Sequence, residues 1–302
     1  MRSDGPHAPT QQQVLAALTE FIRSEQFSCV GAKTAVAGSS LVHRHYSALG
    51  EVSEVGRMYE DLRSFAERRV SIDAHFATFA ATFDSPRRSD EVTFERLLWR
   101  QLQLLHDIDS RWFGWHRDFS PFPEAENFGF CVSGWPFFVV GMHDGASRLS
   151  RRFAYPTLVF NSHEQFELLF ELGTFQRLRA ETRRRELALQ GSINPNLVHY
   201  PSQEVRHYAG RVADEDWRCP FQPRIRVDVA DRQRELTDPT GPAGPASEGP
   251  PRPRVRFCSV GHRHRLGWPP CVATRPVPGQ RPTGCVDVPR RSLRVLCHHL
   301  VE

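Results

Sequence analysis

Two short apolar runs that each lead to a histidine constrain this chain more than any other feature of its sequence. The first run covers residues 137–142 and is followed directly by His143, and the second covers residues 158–160 and ends three residues before His163. Both runs are rich in Phe and Val, which is typical of buried strands. We therefore expect the two histidines to lie at the ends of neighbouring strands and to frame one site.

His163 also opens a predicted helix. Asn161 or Ser162 can cap this helix. Apolar side chains recur within it at helical spacing, namely Phe166, Leu169 and Phe170. His163 shares their face, so its imidazole is predicted to point into the core. Such a histidine can ligate a haem iron, or it can only cap the helix or form a hydrogen bond in the core, and spacing alone leaves these alternatives open.

Three arginines, Arg148, Arg151 and Arg152, lie between the two histidines. Guanidinium groups form strong, charge-assisted pairs with carboxylates, and haem carries two propionates. A histidine ligand with nearby arginines therefore suits the iron of a haem and its propionates. The alternative is that the arginines lie on a solvated surface.

Periodicity along the chain predicts an α+β fold. The predicted helices are 14–22, 58–69, 94–105 and 175–189. Ser89 is the expected cap of the third helix. Residues 128–132 are predicted to form a hairpin with the run 137–142 through a turn at Ser133 and Gly134.

Two further segments carry candidate features. Residues 27–33 are predicted to be a turn into small residues, in which Cys29 is either a buried small hydrophobe or a reactive thiol. Residues 109–127 are rich in aromatic, proline and acidic residues, which suits a lid or a pocket wall.

The distribution of apolar residues predicts a single mixed α/β domain over residues 11–236. A chain of 302 residues, of which 39% are hydrophobic, can bury a sizeable core, but its apolar residues become sparse after about Phe221. Residues 237–302 are predicted to be a disordered Pro/Gly linker and a tail rich in Arg and Cys. The Cys and His residues of the tail match no recognised zinc spacing.

Composition also bounds the location and partners of the chain. The net charge of +4 comes almost wholly from arginine, and it requires no nucleic-acid partner. No apolar run approaches the roughly 20 residues of a membrane helix. The seven cysteines form no regular disulfide pattern, and the first residues lack the layout of a secretory signal. We expect a cytoplasmic protein with reduced thiols and no membrane partner.

Six segments, taken in order, resemble the YqcI/YcgG family, whose members are also called FPC/CPF-motif proteins. These segments are residues 27–33, 137–143, 148–152, 158–167, 189–195 and 217–221. Two features depart from the family pattern: Ser28 stands where the family name expects proline, and the tail after about Asp228 has no counterpart.

The resemblance implies a haem-dependent monooxygenase that hydroxylates a guanidino nitrogen, using haem b. Within the family the chain is most similar to the arginine hydroxylases of D-cycloserine biosynthesis. This similarity implies conversion of L-arginine to Nω-hydroxy-L-arginine in antibiotic biosynthesis, by a protein that could form a homodimer. No nicotinamide or flavin motif is present, so the electrons must come from a partner, a small reductant or peroxide.

The axial ligand of the implied haem has three candidates, in the order His163, His143 and Cys219. Imidazole can bind iron in its neutral form, whereas Cys219 precedes Pro220, which has no N–H to stabilise a thiolate. A guanidinium substrate also needs a carboxylate anchor. The candidates for this anchor are Glu54, Asp118, Glu124 and Glu126, and no spacing distinguishes one of them.

Two other functions stay open. A haem-binding or haem-sensing protein without catalysis would need the histidine and the arginines but no substrate carboxylate. A zinc-binding regulatory protein would instead use the Cys- and His-rich tail.

Overall fold

A five-stranded sheet with the strand order β1-β2-β5-β4-β3 organises the chain. The computed structural model describes residues 8–195 and 203–224. The strands are β1 (Leu41–Ala48), β2 (Thr78–Ser85), β3 (Phe130–Val132), β4 (Trp135–Met142) and β5 (Thr157–Ser162). The strands predicted at 137–142 and 158–160 are confirmed. The predicted linker and tail, 237–302, lie outside the described residues.

The sheet mixes parallel and antiparallel pairing. β1 and β2 are parallel, and the helix Val55–Ile72 lies between them in the chain, while β2, β5, β4 and β3 pair in antiparallel fashion. The α+β class is confirmed. The described helices are α1 (Gln11–Arg23), α2 (Val30–Ala37), α3 (Val55–Ile72), α4 (Glu91–Asp109), α5 (His163–Glu171), α6 (Phe175–Gln190) and α7 (Val205–Tyr208).

The core has two parts, one on each face of the sheet. The alternation along β2 separates them: Phe79 and Phe83 belong to the larger cluster with α3 and α4, whereas Ala80 belongs to the smaller cluster with α1. Six residues of β2 are buried, because this strand has a neighbour on each side and helices over both faces. The Cys-Pro-Phe end of the described chain closes the larger cluster through Phe221, which is 3% exposed.

The predicted hairpin is confirmed. Ser133 and Gly134 have φ angles of 54° and 75°, as a two-residue type I′ turn requires. Asp109, at the end of α4, accepts the backbone N–H of Ser133 at 2.8 Å and thereby holds the turn against the helix.

Side chains cover the outer edge of β1. The N–H of Ser47 donates to Glu54, and Arg57 donates to the carbonyl of His45 at 3.0 Å. These contacts satisfy groups that would otherwise invite another strand. Glu54 is thus occupied at the sheet edge, which makes it a poor anchor for a substrate.

Two local expectations are wrong. The segment predicted as a turn at 27–33 is helical from Val30, because its small residues tolerate the helical backbone. The cap of α4 is Asp90 and not Ser89: the carboxylate of Asp90 accepts the N–H of Thr93 at 2.7 Å. The hydroxyl of Ser89 is buried without a hydrogen-bond partner. Among the described helices, none is both long and apolar enough to cross a membrane.

Replacing Asp90 with alanine should lower the free energy of unfolding, because an N–H at the start of α4 loses its acceptor. The N–H of Thr93 lowers the pKa of Asp90 below its usual value. The contribution of the cap is therefore complete above the ordinary carboxyl pKa and is lost as the pH falls through the lowered one. Urea unfolding at several pH values measures both effects. Ser89→Ala is the matched control, and an equal loss of stability in that variant would contradict the assignment of the cap.

Candidate functional site

The two histidines lie at opposite ends of a strand pair. In the antiparallel register of β4 and β5, Phe137 is opposite Ser162, and Met142 is opposite Thr157. In this register His163 is level with Pro136, so the two histidines are separated along the strands by about seven steps of ~3.4 Å, or roughly 24 Å. The expectation that they frame one site is wrong, because the end of one antiparallel strand lies beside the beginning of the other.

His143 has an unusual environment. It is 1% exposed, and its ring stacks on Phe94 with 4.3 Å between the ring centroids. Neither ring nitrogen has a hydrogen bond of normal geometry, although the carbonyl of Ser89 lies close to the ring. Burial lowers the pKa of His143, and the Ser89 carbonyl opposes this effect. A neutral imidazole with an unused lone pair is the form that binds a metal.

Arg148 is held by protein groups on the same side of the sheet. Its guanidinium is buried and donates to Glu186 through Nε at 3.0 Å and through Nη2, while Nη1 donates to the hydroxyl of Ser192 at 3.0 Å. Glu186 also accepts from the hydroxyls of Ser28 and Ser150. Glu186 is thus the centre of a cluster that ties α6 to the segments before α2 and after β4.

Arg151 and Arg152 are less completely paired. Arg151 is half-buried and donates to the carbonyls of Gly141 and Tyr208 at 3.3 and 3.1 Å. Within residues 8–195 and 203–224 it has no carboxylate at ion-pair distance. Burial lowers the pKa of Arg151 to about 10, and the charge of Glu186 opposes this shift. Arg152 is exposed and donates from Nε to the carbonyl of Ala146 at 2.9 Å.

Cys29 lies near the same arginine. It is exposed and directly precedes α2, and the backbone N–H groups of Gly31 and Ala32 bond its sulfur. Arg151 and Glu186 are its charged neighbours. Burial of the sulfur raises the pKa of the Cys29 thiol, and the two N–H groups only oppose this shift, so the environment does not favour a thiolate.

His163 is buried at the other end, as its spacing predicts, and it already has partners. Its Nε2 lies 3.2 Å from a carboxylate oxygen of Glu204, and the ring of Phe119 lies 4.7 Å away. Glu204 also accepts the hydroxyl of Tyr208. One helical turn from His163, burial raises the pKa of Glu167 to about 7. This end of the sheet is therefore acidic, whereas the end at His143 is basic.

The remaining candidates are dispersed. Burial raises the pKa of the Cys219 thiol, which keeps it protonated. Asp118, Glu124 and Glu126 belong to the loop between α4 and β3, and Asp118 lies among the charges near Glu167. In the part of the chain that the structure describes, no group of three or more His, Cys, Asp or Glu side chains could hold a metal ion.

Sequence reasoning missed four acidic residues. Glu91 and Asp144 are the carboxylates whose charges act on His143. Glu186 stands in a helix interpreted as a solvated basic face, and its only local signal is that it directly follows three arginines, Arg183 to Arg185. Glu204 precedes the short helix α7 and has no periodic neighbours that mark it as buried.

The chain belongs to the YqcI/YcgG family, which matches residues 18–222. It is 27% identical over 157 residues to a protein of Bacillus subtilis (strain 168) named "Uncharacterized protein YcgG". The match covers 48% of this chain and 61% of that protein, so the chain spans about three fifths of the relative. No solved structure matches. The family matches the region in which the described site residues lie.

Replacing Arg148 with methionine should lower the free energy of unfolding by about 3 kcal/mol, because Glu186 would keep its charge without its main partner. Chemical denaturation of protein without added cofactor measures this loss. Arg152→Met is the matched control, since that side chain is exposed, and its stability should stay within about 0.5 kcal/mol of the original. Equal effects of the two changes would show that the buried pair does not hold α6 in place.

Proposed function

We propose that the chain is a cytoplasmic haem-dependent monooxygenase that hydroxylates a guanidino nitrogen of L-arginine. The product would be Nω-hydroxy-L-arginine, as in antibiotic biosynthesis of the D-cycloserine type. One observation carries the proposal: among the described residues, a buried imidazole whose two nitrogens have no hydrogen bond of normal geometry lies at the same end of the sheet as an arginine with no carboxylate at ion-pair distance. Family membership and the resemblance described above support haem b as the group that occupies this end.

The geometry favours His143 over His163 as the axial ligand. His143 has a free lone pair, whereas Nε2 of His163 is engaged by Glu204. The arginines follow β4 at the end where His143 lies, roughly 24 Å along the sheet from His163, which is farther than the propionates of a haem lie from its iron. Cys219 is disfavoured because its thiol stays protonated. Burial also raises the pKa of the Cys29 thiol, which makes Cys29 a weaker candidate than His143.

The other residues of the basic end have distinct roles in this proposal. When bound, the haem supplies the activation of oxygen that nitrogen hydroxylation needs. Arg151 and Arg152 would pair with the propionates, because the described residues accept from only one guanidinium nitrogen of each. Arg148 holds Glu186 and so keeps that carboxylate away from the propionates. Phe94 packs on the imidazole of His143 and excludes water from it.

A carboxylate near His143 would anchor the substrate guanidinium. Asp144 is half-buried, follows His143 directly and accepts the N–H of Ser89 through one oxygen at 3.3 Å. Its second oxygen is available for a guanidinium. Glu91 is the other nearby acid, but it already accepts both the N–H and the hydroxyl of Ser147. A haem-sensing protein would need neither carboxylate for this purpose.

The identity of the ligand can be tested by absorption spectroscopy of haem-loaded protein. We expect His143→Ala to abolish the spectrum of the original protein and added imidazole to restore it in part, because imidazole replaces the missing donor. His163→Ala and Cys219→Ala should keep the spectrum. A carbon-monoxide difference band of the thiolate type that is lost only in Cys29→Ala would move the ligand to Cys29. Loss only in His163→Ala would return it to α5.

Turnover tests the activity itself. Haem-loaded protein supplied with L-arginine and peroxide, or with oxygen and a reductant, should form Nω-hydroxy-L-arginine, detected by mass spectrometry. Asp144→Asn should retain haem and bind arginine roughly 30-fold more weakly, as expected for a lost charged hydrogen bond of about 2 kcal/mol. Asp118→Asn, at the acidic end, is the control and should match the original protein. Haem binding without arginine binding would favour the haem-sensing alternative.

A further inference from the structure

We infer that Tyr208 is a redox-active tyrosine, which gives an electron to the proposed haem site while Glu204 takes its proton. The inference rests on the proposed function, because it needs an oxidant at the basic end of the sheet. It assigns a role to the residues around His163, which the proposed hydroxylation does not use.

Hydrogen-bonded groups next to Tyr208 can accept the proton of its hydroxyl. Tyr208 is completely buried, and its hydroxyl donates to Oε1 of Glu204. The other oxygen of Glu204 lies 3.2 Å from Nε2 of His163, and Glu204 is only 3% exposed. Phenol, carboxylate and imidazole therefore stand in series. Losing an electron from a buried phenol is feasible only if the proton leaves with it, since a buried positive charge is costly.

Tyr208 is a neutral phenol at rest. Burial and the adjacent Glu204 raise its pKa well above the ordinary value for tyrosine. The hydroxyl also donates to Glu204, so the neutral phenol is the favoured resting form. One-electron oxidation, coupled to proton transfer, is the chemistry that this environment permits.

A chain of neighbouring aromatic rings connects Tyr208 to the partly exposed Trp217. The ring of Trp99 lies parallel to that of Tyr208, with a centroid distance of 5.5 Å and an interplanar angle of 19°. Trp217 follows at 6.4 Å from Trp99 and is half-buried. Tyrosine and tryptophan are the side chains with the most readily oxidised rings, so this stack can carry electrons inward from Trp217.

The backbone of Tyr208 reaches the proposed haem site. Its carbonyl accepts Nη1 of Arg151 at 3.1 Å, and its hydroxyl lies 3.2 Å from the carbonyl of Phe137 at the other end of β4. Gly210 leaves room for the side chain of the same arginine, because a Cβ at this position would lie 2.6 Å from Cδ of Arg151. Tyr208 thus links the arginine that would hold a propionate to the proton acceptor Glu204.

The reaction balances with peroxide as oxidant and ascorbate as reductant. With haem bound, hydrogen peroxide would be reduced to two waters by two electrons and by the two protons that two ascorbate monoanions release. Each electron comes from Tyr208, which becomes a neutral radical as its proton passes to Glu204. Ascorbate then returns one electron through Trp217 and Trp99, and Glu204 returns the proton. In sum, one peroxide and two ascorbate monoanions give two waters and two monodehydroascorbate radicals.

Freeze-quench electron paramagnetic resonance tests the inference on haem-loaded, full-length protein. After mixing with hydrogen peroxide without arginine, we expect a tyrosyl radical, identified by the change in its hyperfine pattern when ring-deuterated tyrosine is incorporated. Tyr208→Phe should abolish this radical. Tyr59→Phe is the matched control, because Tyr59 is also buried and donates to a carboxylate, Asp109, at 3.0 Å. Trp99→Phe should keep the radical but slow its reduction by ascorbate at least tenfold.

The outcomes separate this inference from the proposed function. A protein that binds no haem overturns both. Normal haem absorption and arginine turnover, with no tyrosyl radical or with a radical that disappears in Tyr59→Phe, overturns only the role of Tyr208. If Tyr208→Phe fails to bind haem, Glu204→Gln replaces it: loss of the radical with haem retained supports the relay, and an unchanged radical overturns it.

Discussion

The antiparallel pairing of β4 with β5 is the constraint on which the rest of the structure depends. It sends the residues after each strand to opposite ends of the sheet, so that His143 and His163 never meet. The chain that follows β4 brings Arg148 and Arg151 to the first end. The helix that follows β5 brings Glu167 to the second. Strand direction therefore places the basic side chains at one end of the sheet and the acidic side chains at the other.

Buried charged groups are costly unless they are paired, and buried ion pairs occur at both ends. Arg148 is matched by Glu186, and Glu204 is matched by Tyr208 and His163. Networks of this kind hold their members rigidly. Among the described residues, the nitrogens of His143 differ from these groups, because neither has a hydrogen bond of normal geometry and only the nearby carbonyl of Ser89 opposes the effect of burial. An uncompensated group of this kind is where a bound ligand would recover the lost interaction.

The elements of the fold were largely predictable from residue patterns. The apolar runs became β4 and β5, the helical stripes became α1, α3, α4 and α6, and the turn at Ser133 and Gly134 joined a hairpin. The predictions that failed concern either a choice between two adjacent residues or a contact between residues far apart in the sequence. Two adjacent polar residues, Ser89 and Asp90, can both cap α4, and only the geometry distinguishes them. Glu186 was not predicted because its partner Arg148 is 38 residues away.

The sequence by itself determined which segments are helices and strands and that His163 faces the core, because periodicity and capping act over a few neighbouring residues. It also carried the family resemblance, which depends on residue order alone. Only the tertiary structure decided which side chains meet. The separation of the histidines, the pairing of Arg148 with Glu186 and the contact of Tyr208 with Glu204 depend on strand direction and helix packing. These join residues through space, and no local pattern encodes such contacts.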